Sequence, residues 1–418
     1  MTKYNLHIIA NPLIPTNPRY SVDAFTMIAI KLCRMFHRKG HNVIFYGVDK
    51  CKKFIECSKY ISVLKSECYT QAKLLSNNFT HPSYMLCYGK GELEAICKNL
   101  ISTFQNRLIK LVNKNSQEND YVLHVVDCFS PSLFSKKLIH IDISKCGGDY
   151  IVFDNNIFQT NEYMKSVLSK NPNIKTNNSI ILPWFHKEDF ELLEKQTRTE
   201  NTYLYMARCQ QMKGLLYFLE LSKSFPKYKF IVAGGCENYK NEIMTTGEMI
   251  NGTLVMHDKA QPSGTLVMHD KAQPSGTLVM HDTAQPSGTK LKINFKEYPN
   301  VEYIGPILPK KRKQILSTIT ALIQPTPYLE PCGWNVIEAM MCGTPVLVPN
   351  YGGFLDTVVD GKTGFICDTK ENWISNIDKI KELNYDFIKD YAINKFSEER
   401  AYGEYMDFFQ KISQPIYI

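Results

Sequence analysis

The sequence predicts an α/β fold in which parallel sheets are organised into two domains. Short apolar segments of strand length alternate with helical segments along most of the chain, which is the order typical of parallel sheets. The 418 residues exceed what one hydrophobic core usually holds, so two domains of roughly 200 residues each are expected. Hydrophobic residues make up 44% of the chain, which is typical of a globular protein.

The composition indicates a protein without spanning helices, disulfide bonds or a zinc site. No uninterrupted apolar run reaches the roughly 18 residues that a spanning helix needs, and the first residues lack the apolar core and cleavage site of a secretory signal. The 13 cysteines are scattered without a C-x-x-C pair. A cytoplasmic protein with reduced thiols is therefore expected, rather than a disulfide framework or a zinc site.

The net charge of +8 is unevenly distributed. Residues 1–110 contain 16 Lys and Arg against 6 Asp and Glu, so the first quarter carries the excess. A solvated basic surface accounts for this pattern, and peripheral contact with an anionic membrane stays open as an alternative. Nucleic acid is not an expected partner, because no aromatic and basic recognition module is visible.

The first half begins with a βαβ unit. A strand over 6–10 leads through the proline-containing loop 11–20 to a helix that Asp23 opens and Gly40 ends, and a strand over 42–46 follows. Further along, we predict helices over 93–112 and 161–168 and strands over 121–126, 138–143, 150–153 and 180–182.

The second half repeats the pattern of strand, loop, helix and strand within 202–235. Arg208 and Lys213 lie in or near its first loop, which places two cations where a departing diphosphate would need them. A similar unit within 301–324 has a glycine loop at Gly305 and four consecutive cations over 310–313. These cations fit a solvated helix start better than a site, although Arg312 could help neutralise phosphate.

A tandem repeat interrupts this half of the chain. The unit G-T-L-V-M-H-D-K-A-Q-P-S recurs nearly verbatim with a period of 12 residues, and the insertion spans 252–289. Thr-Leu-Val-Met-His favours a strand and Ala-Gln-Pro-Ser-Gly a turn. We interpret the segment as a tolerated surface insertion rather than a metal site built from His257, His269 and His281.

The segment 325–368 predicts helix, strand and helix in tight succession. Its first helix follows Gly333 and ends at Gly343. Apolar residues at helical spacing form its buried stripe, namely Val336, Ile337, Met340 and Met341. Glu338 lies about one turn inside the helix on the opposite side, and Glu330 lies in the loop before it. Both carboxylates are expected to face one crevice, although each alone also fits a solvated surface residue.

The start of this helix is a candidate anion site. The backbone N–H groups of Gly333, Trp334 and Asn335 have no partner within the helix, and the helix dipole adds positive potential there. Such a terminus suits a pyrophosphate.

The pattern E-x(7)-E, continued by E-A-M-x-x-G-T-P-V and a Gly-Gly turn, resembles the family 4 (group 1) retaining glycosyltransferases. The resemblance is strong over 202–235 and 301–368 and moderate over 1–47. It implies the GT-B fold, in which two Rossmann-like domains face each other. It also implies that the chain is an enzyme that transfers a hexose-type sugar with retention of configuration.

The resemblance implies a role for each site residue. Glu338 would bind the ribose hydroxyls, Glu330 the donor sugar, and Arg208 and Lys213 the pyrophosphate. Backbone groups around Gly305 and Ile307 would lie near the nucleobase. The sequence departs from the family pattern in two places: Ala207 replaces a glycine, and Pro-Thr-Asn-Pro-Arg replaces a Gly-Gly pair in the first loop, where Asn17 or Arg19 would substitute.

The donor implied is a nucleoside-diphosphate sugar, with UDP favoured, and neither a cofactor nor a metal is expected because no D-x-D pair is evident. The acceptor, whether carbohydrate, lipid or protein, cannot be identified from the sequence. Either His124 or His140 could contact the donor sugar or be a buried structural residue, and Asp127 and Asp142 are equal candidates for orienting an acceptor hydroxyl.

The expected domains are 1–184 on the acceptor side and 185–397 on the nucleotide-sugar side, with 398–418 packing back on the first. Two other functions stay open: another GT-B enzyme, such as a sugar-nucleotide epimerase or a phosphorylase, and a non-catalytic protein that binds nucleotide sugars.

Overall fold

The structure is a computed structural model that describes most of the chain. The described residues are 2–12, 15–18, 24–65, 92–126, 130–145, 151, 153–191, 197–209, 213–234, 242–244, 247–250, 253–256, 290–292 and 295–413. Arg19, Asp23 and Asp127 lie outside them, as does most of the tandem repeat.

The first half of the chain forms a parallel sheet of seven strands in the order β3-β2-β1-β4-β5-β6-β7. The strands are β1 (Asn5–Ile9), β2 (Asn42–Val48), β3 (Lys59–Leu64), β4 (Tyr121–His124), β5 (Ile139–Lys145), β6 (Asn155–Phe158) and β7 (Asn177–Ile180). The helices of this half are α1 (Ala24–Arg38), α2 (Glu92–Asn115) and α3 (Asn161–Ser169).

Helices cover both faces of this first sheet. Alternate side chains of a strand point to opposite faces, so Leu6 and Ile8 join the core beneath α1, while Ile9 joins the core beneath α2. The buried residues of α2 recur every fourth position, which places them on one face: Leu100, Phe104, Leu108 and Val112.

The second half forms a parallel sheet of six strands in the order β14-β9-β8-β15-β16-β17. Its strands are β8 (Thr202–Met206), β9 (Lys229–Ala233), β14 (Val301–Tyr303), β15 (Ala321–Ile323), β16 (Val346–Pro349) and β17 (Gly364–Cys367). Two antiparallel pairs lie apart from it: β10 (Glu242–Met244) with β13 (Lys290–Lys292), and β11 (Gly247–Ile250) with β12 (Thr253–Met256).

Eight further helices complete the described chain. They are α4 (Glu188–Glu191), α5 (Leu215–Lys223), α6 (Pro309–Thr318), α7 (Trp334–Met341), α8 (Phe354–Thr357), α9 (Lys370–Lys379), α10 (Tyr385–Lys395) and α11 (Glu398–Ser413). Apolar side chains of α11 enter the core of the first sheet beside α1, whereas α7 and α10 share a core with the second sheet. We therefore keep the domain limits 1–184 and 185–397, with 398–418 returned to the first domain, as a proposal.

Most predicted elements appear within a few residues of their expected ends, and the helix after Gly333 is confirmed. The strand predicted over 150–153 is wrong at its two described residues, 151 and 153, and the structure places the strand at Asn155–Phe158. Its first residues are polar, and their side chains pair with the next strand: Asn177 Nδ2 donates to Asn155 Oδ1 at 3.0 Å. A search for apolar runs misses a strand of this kind.

Only one stretch of the repeat is described. Thr253–Met256 pairs antiparallel with Gly247–Ile250, as expected for the Thr-Leu-Val-Met part of the first copy. Within the described ranges, no helix combines the length and apolar character needed to cross a membrane.

Candidate functional site

The second sheet has a topological switch point. From β8 the chain adds β9 and β14 on one side, and then crosses to add β15, β16 and β17 on the other side. In open parallel sheets, ligands bind in the crevice beyond the carboxyl ends of the two strands where the direction changes. The loops that follow β8 and β15 flank this crevice, and these loops contain Lys213 and Glu330.

Lys213 and Glu330 meet across the crevice. Lys213 Nζ lies 2.7 Å from Glu330 Oε2 and 2.7 Å from the Tyr328 hydroxyl oxygen. The two charged side chains are only 12% and 14% exposed. Burial lowers the pKa of Lys213, the Glu330 carboxylate opposes this shift, and the charge of Arg208 adds to it. The structure thus places Lys213, Glu330 and Arg208, all predicted from the sequence, close to one another.

A glycine allows this approach. Gly214 has a φ of 82°, in the left-handed region. A Cβ atom at Gly214 would lie 2.0 Å from the carbonyl oxygen of Pro325, where no side chain fits. The glycine after Lys213 therefore lets the β8 loop lie directly against the chain that leaves β15.

The Gly-Gly turn after β16 supports the loop of Glu330. The Gly353 N–H donates to the carbonyl oxygen of Glu330 at 2.8 Å. A Cβ atom at Gly353 would lie 2.3 Å from the Pro331 carbonyl oxygen, and one at Gly352 would lie 2.9 Å from that of Glu330. Glycine at both positions lets the turn pack against the backbone that carries the carboxylate.

The N-terminus of α7 is fastened to the same strand ends. Gly333, with a φ of 69°, precedes the helix. Asn335 Nδ2 donates to the Met206 carbonyl oxygen at 2.8 Å and to Gln324 Oε1 at 2.6 Å, and thereby reaches the ends of both β8 and β15. The first-turn amides of Gly333, Trp334 and Asn335 accordingly lie at the crevice.

Glu338 has a cationic partner of its own. Its Oε1 lies 3.2 Å from Arg312 Nη2, and the two side chains are 15% and 13% exposed. Arg312, which the sequence offered as a lesser alternative for neutralising phosphate, thus pairs with a carboxylate in the described structure. The ribose role of Glu338 and the phosphate role of Arg312 stay predictions.

The predicted nucleobase residues lie on the same edge of the sheet. Gly305 follows β14, and its carbonyl oxygen accepts a hydrogen bond from the Gly234 N–H at 3.1 Å. Ile307 packs partly buried against the core of the second half. Ala207, where the family pattern has glycine, is not among the residues with positive φ, and it packs against the other core of this half.

The first-domain histidines form a buried pair. His124 Nε2 lies 2.9 Å from His140 Nδ1, and the His124 ring packs at a tilt against the ring of Phe153. Burial lowers the pKa of His124 well below its usual value and that of His140 to about 4, so both rings are neutral at pH 7. This packing agrees with the alternative that both histidines are buried structural residues. Asp142, at 2% exposure, lies on the neighbouring stretch of β5.

The sequence did not reveal three residues that join the two halves or shape the site. Tyr328 holds Lys213, and its position two residues before Glu330 was the available signal. Gln159 Oε1 accepts from Trp334 Nε1 at 3.0 Å and from Cys332 Sγ at 2.6 Å, while Thr160 Oγ1 donates to the Pro331 carbonyl oxygen at 2.6 Å. Lone polar residues after β6 gave no signal.

These contacts place the carboxyl edge of the first sheet against the loop of Glu330 and the start of α7. In the part of the chain that the structure describes, no group of three or more His, Cys, Asp or Glu is arranged to hold a metal ion. The site therefore consists of a pair of basic residues, two carboxylates and a helix N-terminus between two parallel sheets.

Solved structures with the same architecture are glycosyltransferases. A glycosyltransferase from Rickettsia africae matches with a TM-score of 0.60 at 12% identity and covers 99% of this chain and 100% of its own. AviGT4, a glycosyltransferase involved in avilamycin A biosynthesis, matches with a TM-score of 0.58 at 12% identity, over 98% and 97% of the two chains. The two facing parallel sheets are thus the GT-B fold, as expected from the sequence.

Sequence similarity to known proteins lies in the second half of the chain. Residues 276–399 match the family described as glycosyl transferases group 1. A segment of 95 residues is 37% identical to alpha-1,3/1,6-mannosyltransferase ALG2 of Dictyostelium discoideum, and 113 residues are 34% identical to the Neurospora crassa alpha-1,3/1,6-mannosyltransferase alg-2. These alignments cover 22% and 26% of this chain and 22% and 24% of the relatives. Over this segment the chain is similar to group 1 glycosyl transferases, which confirms the resemblance.

Proposed function

We propose that this chain transfers a sugar from a nucleoside-diphosphate sugar to an acceptor with retention of configuration. The observation that carries the proposal is the buried pair of Lys213 and Glu330 at the switch point, beside the start of α7. A basic residue, a carboxylate and a helix N-terminus are the groups that a diphosphate and a sugar hydroxyl require.

Donor binding would exchange the partners of Lys213. In the described structure its ammonium pairs with Glu330. An incoming diphosphate carries more negative charge than one carboxylate, so it draws the ammonium and frees Glu330 to accept hydroxyl hydrogen bonds from the donor sugar. The Tyr328 hydroxyl keeps Lys213 in position during this exchange.

Bond cleavage would place charge on the departing diphosphate. Arg208, Lys213 and the first-turn amides at Gly333, Trp334 and Asn335 would stabilise that charge as it develops, because they are fixed before the reaction begins. No side chain is assigned as a covalent nucleophile. The acceptor hydroxyl would therefore attack from the face that the diphosphate leaves and pass its proton to the departing diphosphate oxygen, which retains the configuration.

The remaining donor contacts lie around this centre. Glu338, oriented by Arg312, would accept hydrogen bonds from the ribose hydroxyls, and backbone groups around Gly305 and Ile307 would contact the nucleobase. We favour a UDP-sugar as donor. The Anabaena protein HepE, which shares the fold with a TM-score of 0.56 at 10% identity, was solved with UDP and glucose.

The acceptor and the cellular location are proposed from the names of the relatives and from the charge of the first domain. The matched relatives include mannosyltransferases and a sucrose synthase, so their names indicate different acceptors. We propose that the first domain binds a carbohydrate, lipid or protein acceptor in the cytoplasm, and that its basic surface permits peripheral contact with an anionic membrane.

The test is turnover of a donor panel. Purified protein would be incubated with UDP-, GDP- and ADP-linked glucose and mannose, and release of nucleoside diphosphate would be followed by chromatography. We expect release from one donor, and NMR of the sugar should show the anomeric configuration of that donor. Glu330→Gln should lower kcat/KM about 100-fold, whereas Glu371→Gln, an exposed carboxylate of α9, should match the unmodified protein.

Two results would reject the proposal. Turnover that is equal in Glu330→Gln and in the unmodified protein would remove Glu330 from the site. Binding of a nucleotide sugar without turnover, even with a broad set of acceptors, would favour the non-catalytic alternative, and interconversion of one sugar nucleotide into another would favour an epimerase.

A further inference from the structure

One face of α1 holds the segment that connects the two sheets. Lys31, Arg34 and Arg38 recur at helical spacing, so they lie along one side of the helix. Arg34 Nη1 and Nη2 donate to the two carboxylate oxygens of Asp189 at 3.1 and 2.7 Å, and Arg38 Nη1 donates to Glu188 Oε2 at 2.9 Å. Both partners belong to the short helix α4 of the connector.

Lys31 reaches further than the two arginines. Its Nζ donates to the carbonyl oxygen of Trp184 at 3.0 Å, at the start of the connector. It also lies 3.4 Å from the ring centroid of Phe185 and 4.3 Å from that of Trp334. The residue is 5% exposed, and two aromatic faces replace much of the water around its ammonium group.

Trp334 links this contact to the proposed donor site. It is the first residue of α7, and its indole Nε1 donates to Gln159 of the first domain. Lys31 belongs to α1 of the first domain. From there it contacts the connector through Trp184 and Phe185, and the helix of the donor site through Trp334. None of the roles assigned above uses this lysine.

Charges on four elements face Lys31. Burial lowers its pKa to about 7, Glu338 of α7 and Asp189 of α4 oppose the shift, and Arg312 of α6 and Arg34 of α1 add to it. The side chain of Lys31 is consequently charged below about pH 7 and neutral above it. When the charge is lost, the attraction of the ammonium to both rings and to Glu338 is lost as well.

We propose that Lys31 is a positioning residue for donor binding: its ammonium fixes Trp334, and with it the first turn of α7, against the connector between the domains. The inference rests on the proposed donor site at that turn. It assigns no contact between Lys31 and the donor. Its consequence is that nucleotide affinity depends on the charge of a residue outside the crevice.

The first test compares UDP affinity in the unmodified protein, Lys31→Met and Lys31→Arg by calorimetry from pH 6 to pH 8.5. At pH 6, Lys31→Met should bind UDP about tenfold more weakly, since it keeps most of the length but removes the cation–ring contacts. Lys31→Arg should retain most of the affinity. The unmodified protein should approach Lys31→Met as the pH rises, while the arginine variant should not. The phosphate of UDP titrates in the same way with all three proteins, so the differences between them isolate Lys31.

The second test needs no nucleotide. In a Trp373→Phe background, the two remaining tryptophans, Trp184 and Trp334, both lie beside Lys31. Their fluorescence should change with a midpoint near pH 7, and the change should be absent in Lys31→Met and Lys31→Arg.

The outcomes separate the two proposals. If UDP, GDP and ADP all fail to bind the unmodified protein, the donor site is rejected, and the inference that depends on it falls with it. If UDP binds equally to all three proteins at every pH, the donor site stands and the positioning role of Lys31 is overturned. A fluorescence change that persists in both variants would also overturn it.

Discussion

Burial determines how the ionisable side chains of Lys213, His124 and His140 are stabilised. Lys213 keeps a carboxylate and a phenol within 2.7 Å because a buried ammonium needs partners. His124 and His140 avoid the cost of a buried charge in another way, because the two buried rings share a hydrogen bond and remain neutral. The first arrangement suits an exchange of anions, and the second suits a packed core.

The histidine pair predicts a loss of stability in acid. The pKa of His140 is about 4 in the folded protein and near 6.5 when unfolded, so protons bind preferentially to the unfolded chain as the pH falls from about 6.5 towards 4. Between pH 7 and pH 5 this group should reduce the free energy of unfolding by roughly 2 kcal/mol. Urea unfolding of His140→Gln should show a smaller loss over that interval. His37→Gln, at an exposed position, should lose as much as the unmodified protein. An undiminished loss in His140→Gln would reject this account.

At the scale of single elements, the sequence was most informative where local chemistry decides the structure. Gly333, an apolar stripe and Gly343 define α7 without reference to the rest of the chain. Lys31, Gln159 and Tyr328 were not identified as site residues because their roles arise from contacts between segments far apart in sequence. Arg312 was identified, but its pairing with Glu338 depends on how α6 packs on α7.

The Gly-Gly turn gives a prediction at this scale. Gly353→Ala places a Cβ atom 2.3 Å from the Pro331 carbonyl oxygen, so the loop that carries Glu330 must move. We expect a loss of about 2 kcal/mol in unfolding free energy and a fall of at least tenfold in donor turnover.

Gly403→Ala is the matched control for that change. A Cβ atom at Gly403 meets no atom within 4 Å, and the residue lies inside α11. Alanine should therefore stabilise the helix by roughly 0.5–1 kcal/mol and leave turnover unchanged. Equal behaviour of the two variants in thermal unfolding would contradict the role given to the turn.

Two segments of the chain connect the two domains, and they meet at one place. Phe185 and Ser397 form a parallel bridge, so the two crossing segments lie side by side. Beyond this bridge, α11 packs Tyr405 and Phe409 into the core of the first sheet. A sequence read in order predicts such a return only through family resemblance, because no local pattern says which core a final amphipathic helix joins.

Phe409→Ala tests this return. The ring is fully buried, stacks on Phe36 and packs at a tilt against Tyr121, so its loss should destabilise the first domain by about 3–5 kcal/mol in chemical unfolding. Phe387→Ala, which removes a ring that is 45% exposed on α10, should cost much less. A small effect at Phe409 would mean that α11 does not complete the first core.

The most direct test of the central claim is the affinity of the diphosphate itself. Calorimetry would compare UDP, GDP and ADP with the corresponding nucleosides, using the unmodified protein, Lys213→Met and Lys379→Met, an exposed lysine at the end of α9. One diphosphate should bind about 100-fold more tightly than its nucleoside. Lys213→Met, unlike Lys379→Met, should reduce that difference. Equal binding of diphosphate and nucleoside, or an unchanged preference in Lys213→Met, would contradict a donor site at the Lys213 and Glu330 pair.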